Sequence, residues 1–214
     1  MGWQIENGVD DGIRDRIASG SVRPSHAVQL FDEPVSLWES LSRFILSGLE
    51  HDGVVLLFIT PAHWTAVRQC APQPEIDAAL ADGRVTVEDA SAALTALMTD
   101  GWPDPEKFET LVSRRVKHLL SSPRKLSIYG DIVDLLASRG EMRCAERLEE
   151  LWNALQAEHD FRLFCGYSAA SFGNPRHGDA LRTICAAHDA VHCRPGDVLS
   201  EFLLKALHGP RLLA

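Results

Sequence analysis

The sequence predicts a three-layer α/β fold around a mostly parallel five-stranded sheet, with extra helices toward the C-terminus. Three observations carry this expectation. Leu126-Ser127-Ile128-Tyr129 reads as a short apolar strand, Gly130 as a turn, and most of the next thirty or so residues as helix, before a second buried strand, Phe161-Arg162-Leu163-Phe164-Cys165-Gly166-Tyr167. Strand, helix, strand at this spacing is a right-handed βαβ crossover, which places both strands parallel in one sheet. The same alternation runs through the preceding hundred or so residues. The segment from Val54 to Ile59 is apolar throughout, the signature of a strand covered on both faces.

Taken in order, residues 1–22 form a polar N-terminal arm with a short helix over 11–18, residues 23–174 a single domain, and residues 175–214 a helical extension packed on it. His26-Ala27-Val28-Gln29-Leu30-Phe31 is the first strand. Asp32 caps the following helix and Pro34 sits where a helix start tolerates it. Val35, Trp38, Leu41, Ile45 and Leu49 make one apolar stripe at helical spacing. His51-Asp52-Gly53 ends that helix, and Thr60-Pro61 starts the next, which runs to Cys70. Pro72 and Pro74 precede a short helix over 75–81, with Gly83 at its C-terminal end. A third strand follows over 84–88, then a small-residue helix over 91–98 and a loop over 99–105. The helix over 105–120 carries Phe108, Leu111, Val112, Val116 and Leu119 on one side. Beyond the central unit, two helices are expected over 178–190 and 197–207, broken at Arg194-Pro195-Gly196.

Composition narrows the partners. The 214 residues are 45% hydrophobic and 24% charged, ordinary for a globular chain. A net charge of −9 argues against nucleic acid or anionic lipid as the main partner, since both need a clustered positive face. No apolar run is long enough to span a bilayer, and the N-terminus has neither a basic region nor an apolar signal core. Five cysteines without paired spacing suit a reducing compartment. The expected location is the cytoplasm.

No motif names a reaction. After the first strand, where a phosphate loop would supply glycines and a Lys, the chain has Asp32-Glu33-Pro34-Val35-Ser36-Leu37-Trp38. Gly166-Tyr167-Ser168-Ala169-Ala170 lacks the second glycine of a nucleophile elbow, so Ser168 reads as a helix cap. Cys185, His188 and His192 share a helical spacing that would hold zinc if a fourth ligand, such as His177, arrived from elsewhere. The preferred reading leaves Cys185 in the core and the histidines paired with acids or carbonyls, with no metal and no cofactor. In open parallel sheets ligands bind beyond the carboxyl ends of the strands. Those ends carry Phe31-Asp32, Thr60 with His63 and Trp64, Glu88-Asp89, Tyr129 with Asp131, and Tyr167-Ser168, an aromatic rim with scattered acids and His. Such a rim either takes a small, weakly polar or cationic ligand or fills core under a helix.

The chain resembles the MEDS family, the methanogen/methylotroph DcmR-type sensory domain of prokaryotic signal transduction, over roughly residues 25–195. The resemblance rests on His26 through Phe31, on Gly48-Leu49, and on Thr60-Pro61-Ala62-His63. It continues through Asp104 to Phe108, Tyr129-Gly130-Asp131-Ile132-Val133, Leu148-Glu149-Glu150-Leu151-Trp152-Asn153, Phe161 through Tyr167, Phe172, and Ile184 to His188. Where the family usually carries Gly-Glu, this chain has Gly130-Asp131, one methylene shorter. The resemblance implies a RecA/KaiC-like fold that has lost its phosphate loop, with sheet order 5-1-4-3-2 for the five strands in chain order. It also implies a non-catalytic sensor of small molecules, proposed to be simple hydrocarbon derivatives, that signals to a histidine kinase or transcriptional regulator on another chain. The expected ligand contacts are His26, Phe31, His63, Tyr129, Asp131 and Tyr167, with Glu149, Trp152 and Asn153 in support. The alternatives are a residual nucleotide-binding ATPase of RecA type, or a pure interaction module. The latter would use an apolar patch of Phe202, Leu203, Leu207 and Leu212-Leu213, which a homodimer would bury.

Overall fold

The computed structural model describes residues 25–208. The arm expected over residues 1–22, and Leu212-Leu213 of the apolar patch, lie outside the described residues. Apolar β-branched runs bounded by caps and prolines form β1 (His26–Phe31), β2 (Val54–Ile59) and β3 (Val85–Asp89). A two-stranded antiparallel ribbon, β4 (Met98–Thr99) with β5 (Trp102–Pro103), occupies the stretch expected as loop. The sheet continues with β6 (Leu126–Gly130), β7 (Arg162–Ser168) and β8 (Ala190–His192).

Six strands pair in parallel, in the order β3-β2-β6-β7-β1-β8. The fold class is therefore α/β with a parallel sheet, but two details differ from expectation. In the order 5-1-4-3-2 the last two expected strands would not touch; here β6 and β7 are hydrogen-bonded neighbours and β7 separates β6 from β1. The crossover over residues 131–161 lays its helices on one face of the sheet and returns the chain directly beside β6, whereas β1 and β2, also consecutive, are separated by β6 and β7. The sheet also has a sixth strand where helix was expected to continue to residue 190. Without β8, β1 would expose an unpaired edge; Ala190-Val191-His192 pairs with Ala27-Val28-Gln29 and covers it.

The helices are α1 (Pro34–Leu49), α2 (Pro61–Cys70), α3 (Gln73–Ala81), α4 (Ala90–Leu97), α5 (Pro105–Phe108), α6 (Arg114–Leu120), α7 (Ile132–Ser138), α8 (Met142–Glu158), α9 (Gly178–Ala186) and α10 (Val198–His208). A π-helical turn, Glu109–Ser113, joins α5 to α6. Thr60 caps α2 by accepting the His63 N–H, and Asp89 and Asp104 cap α4 and α5 in the same way. The long helix expected after Gly130 is two helices. Gly140, at φ +76°, and the Glu141 N–H bonded back to the Leu136 carbonyl close α7 in a Schellman turn.

Strand residues alternate between two cores. One face of the sheet packs Phe31, Val55, Leu57, Ile59, Tyr129 and Phe164 against Leu37, Leu41 and Ile45 of α1 and Val67 of α2. The other packs Val28, Leu30, Leu56, Ile128, Cys165 and Tyr167 against α4 to α10. The buried stripe of α1 runs through Leu37, Leu41, Ile45 and Gly48, and Val35 is exposed.

Candidate functional site

At the carboxyl ends of β2 and β6, polar groups gather around Asp131. The Asp131 N–H continues the ladder by bonding the Phe58 carbonyl, which turns its side chain back over the strand ends. Its Oδ2 accepts the Thr60 N–H at 2.8 Å and lies 2.9 Å from His63 Nδ1. Its Oδ1 accepts the Tyr129 hydroxyl. His63 is brought there by the capped first turn of α2, and its ring keeps about a quarter of its surface exposed, 26%, against 2% for Asp131. The hydrogen bond to Asp131 raises His63 above the ordinary imidazole value, against a smaller opposing effect of burial. Burial and the Asp131 carboxylate hold the Tyr129 phenol well above its usual range. One turn on, Asp134 accepts the Ser168 N–H at 2.9 Å, and burial pushes its carboxyl up to about 6. Trp38 of α1 meets the His63 ring edge-on at 6.3 Å, and its indole N–H is buried without a hydrogen-bond partner. This node is a carboxylate–imidazole couple with one face open, able to accept a hydrogen bond or a positive charge.

A second polar node lies on the opposite face of the sheet, inside the core. Asp189 accepts the backbone N–H groups of Ser25 and His26 and the Ser25 hydroxyl, which pins the start of β1 to the turn between α9 and β8. His26 and His188 thereby stack at 3.9 Å between ring centroids. Glu149 and Asn153, one turn apart on the buried face of α8, meet them, and Cys165 enters from β7. Asn153 Nδ2 donates to the Ala187 carbonyl, so its Oδ1 faces His26 Nδ1 at 2.8 Å and can only accept. His188 Nδ1 lies 2.7 Å from the Ile184 carbonyl. Both imidazoles thus carry their proton on Nδ1 and aim the Nε2 lone pair at Glu149, at 3.4 and 3.6 Å. Tyr167 donates to Glu149 Oε1 at 2.8 Å. Burial drives His26 down to about 4 and His188 well below the usual range, while it pushes Glu149 up to about 7. Nitrogen, sulfur and oxygen donors converge here: His26, Glu149, Cys165 and His188 offer ligand atoms within 4.8 Å of one another, all buried.

The expected site residues therefore separate into two groups. His63, Tyr129 and Asp131 come together at the strand ends, with Phe31 buried in the core on the same side. His26 and Tyr167 lie across the sheet with Glu149 and Asn153. Trp152 is core, ringed by Phe58, Phe108 and Phe161. Of the three metal candidates, His188 joins the buried node, whereas Cys185 is half-buried in α9 and His192 lies in β8. His177 bonds the Ser171 carbonyl. Sequence reasoning missed Cys165, Asp134 and Trp38. The spacing of Glu149 and Asn153, two polar side chains one turn apart on an otherwise apolar helix face, was the available signal for the buried node.

Asp32 does not cap α1 as expected: that helix starts after Glu33 with no side-chain cap, and the Asp32 carboxylate is engaged elsewhere. Asp32 accepts the backbone N–H groups of Leu199 and Ser200 and the Ser200 hydroxyl, so its carboxylate sits at the N-terminus of α10. A shallow depression of about 380 Å³, lined by Ser25 and residues 156–161, lies at the amino-terminal edge of the sheet.

Fold and site together define a parallel α/β domain with one polar node at the carboxyl edge of its sheet and another buried beneath α8. The chain belongs to the MEDS family, the MEthanogen/methylotroph, DcmR Sensory domain, which it matches over residues 25–188. No curated protein matches the chain. Family membership points to a sensory or signalling role. No helix among the described residues is long and apolar enough to cross a membrane.

Proposed function

We propose that this chain is a regulatory sensor that binds a small organic ligand at the carboxyl edge of its sheet and passes the signal to a histidine kinase or transcriptional regulator, without turning the ligand over. The observation that carries this reading is the half-open His63–Asp131 couple set on Tyr129 and flanked by Trp38. His63 is the direct contact, Asp131 and Tyr129 fix its orientation, and Phe31 lies in the core on the same side of the sheet. His26 and Tyr167 act from across the sheet through the packing of β7 and β1. A weakly polar hydrocarbon derivative, or a small cation, suits an imidazole beside aromatic rings. Binding shifts the ensemble by its differential affinity for one arrangement of this rim, and the partner reads that arrangement. The stretch between β1 and α1, Asp32-Glu33-Pro34, with neither the glycines nor the lysine of a phosphate loop, favours this reading over residual nucleotide binding.

A thermal-shift screen of short alcohols, amines, amides and haloalkanes tests the proposal. At least one class should raise the unfolding temperature of the wild type, and the shift should vanish in His63→Ala and Asp131→Asn. Equal shifts in wild type and both variants would move the site elsewhere, and saturable binding of magnesium-ATP would favour the enzymatic alternative.

A second reading, an interaction surface on α10, is favoured by Val198 and Phe202, which are one turn apart and 74% and 65% exposed. Leu203 and Leu207 of the same helix instead pack against the core. Light scattering after size exclusion should then give a dimer that Phe202→Ser converts to monomer; an unchanged mass in the variant would remove this surface from the account.

A further inference from the structure

We propose that His26, Glu149, Cys165 and His188 bind one divalent transition-metal ion of the zinc class, in a closed four-coordinate site beneath α8. This inference is independent of the ligand proposed for the carboxyl edge, which lies on the other face of the sheet.

The distances decide between a hydrogen-bond network and a metal site. His26 Nε2 lies 3.4 Å from Glu149 Oε2, His188 Nε2 lies 3.6 Å from Glu149 Oε1, and Cys165 Sγ lies 3.5 Å from His26 Nε2 and 3.9 Å from Glu149 Oε2. The nitrogen–oxygen separations exceed the usual range for a hydrogen bond. The separations among His26 Nε2, Glu149 Oε2 and Cys165 Sγ, 3.4–3.9 Å, lie close to the edge of a tetrahedron built on zinc bonds, about 3.3–3.8 Å. His188 reaches the other carboxylate oxygen, and all four residues offer ligand atoms within 4.8 Å of one another. Chemistry agrees with geometry. Both Nδ1 atoms are committed to carbonyl oxygens, of Asn153 and Ile184, so both Nε2 atoms face inward as lone pairs. His188 Nε2 is buried and has no hydrogen-bond partner. Two lone pairs directed at a carboxylate repel one another in the absence of a proton or a cation between them. Carbonyl acceptors behind ligating imidazoles are also the usual outer shell of a metal-bound histidine, and Tyr167 supplies the equivalent for Glu149.

Charge closes the account. A divalent ion with one thiolate and one carboxylate is neutral overall, so a site with every donor buried carries no net charge. Binding releases the Cys165 thiol proton, and the Glu149 proton where that group is protonated, to solvent as the metal–sulfur and metal–oxygen bonds form. Four protein donors leave no open position, which makes the site a structural clasp rather than a catalytic centre. The clasp joins β1, α8, β7 and the turn that leads into β8, and so fastens the edge strand to the centre of the sheet.

The full chain, purified without chelator, should carry close to one equivalent of zinc by elemental mass spectrometry. After stripping, cobalt(II) should restore intense four-coordinate visible bands together with a thiolate-to-metal charge-transfer band in the near ultraviolet. That band should be lost in Cys165→Ser and kept in Cys185→Ser and Cys144→Ser. Zinc added to the stripped protein should raise its unfolding temperature by several degrees, and His188→Gln should abolish the rise. The wild-type cobalt spectrum decides the matter even if a variant fails to fold: weak six-coordinate bands alone, or no stoichiometric metal and no zinc-dependent stabilisation, would overturn the proposal. A charge-transfer band that survives Cys165→Ser in folded protein would overturn the assignment equally.

Discussion

Asp134 and His63 set the charge behaviour of the exposed node. Burial raises Asp134 from 3.8 to about 6, and the hydrogen bond with Asp131 raises His63 above 6.5. For both groups the folded state holds its proton more tightly than the unfolded chain. Their contribution is therefore fully present below the unfolded values and is lost as pH rises through the folded ones. Stability from Asp134 should fall between about pH 4 and pH 6, and that from His63 above about pH 6.5. Asp134→Asn keeps an oxygen to accept the Ser168 N–H and removes the charge that burial disfavours. Urea denaturation should find this variant more stable than wild type at pH 8, by about 1–3 kcal/mol, with roughly half that excess at pH 5. The same difference at both pH values would show that Asp134 does not titrate between them. In His63→Gln the remaining slope near neutrality should flatten.

Two elements owe their positions to single residues. Helix α1 approaches the sheet closely at Gly48, where a Cβ would lie 2.8 Å from Val55 Cγ2 and 3.0 Å from Ser127 Oγ. Val55 is β-branched and fully packed, so it cannot swing aside. Gly48→Ala would gain about 1 kcal/mol of helix propensity but lose about 1–3 kcal/mol to overpacking. The net expectation is a modest loss of stability, read from the denaturation midpoint; a stabilised variant would mean that α1 can lift away from β2. Helix α10 depends on Asp32 from a distant part of the chain. Asp32→Ala removes three hydrogen bonds from its first turn and should cost about 1–2 kcal/mol. Faster hydrogen exchange at Leu199 and Ser200, with exchange in β6 unchanged, would localise that loss.

Across the whole molecule, protection should follow position in the sheet. Strands β6 and β7 sit at the centre with helices over both faces, whereas β8 is three half-buried residues paired on one side only. Native-state hydrogen exchange should be slowest in β6 and β7 and fastest, among the strands, in β8. Protection in β8 equal to that in β7 would mean that the edge opens only with global unfolding.

Local pattern alone determined most of the elements. The apolar run of β2, the proline start of α1, the cap-and-proline start of α2, the helices after Asp89 and Asp104, and the absence of glycines after β1 are properties of a few neighbouring residues, and local pattern reads them directly. The family, too, was legible from the order of short motifs. Only the tertiary structure decided the strand order, the sixth strand, and the separation of Tyr129 from Tyr167 onto opposite faces of the sheet. Alternation says that successive strand residues face opposite ways, but not what each face meets. His26, Glu149, Cys165 and His188 are spread over more than 160 residues of sequence, and no local spacing announces their convergence. Their meeting required β1 to lie between β7 and β8 with α8 across them, and pairing between distant strands is set by the packing of the whole chain.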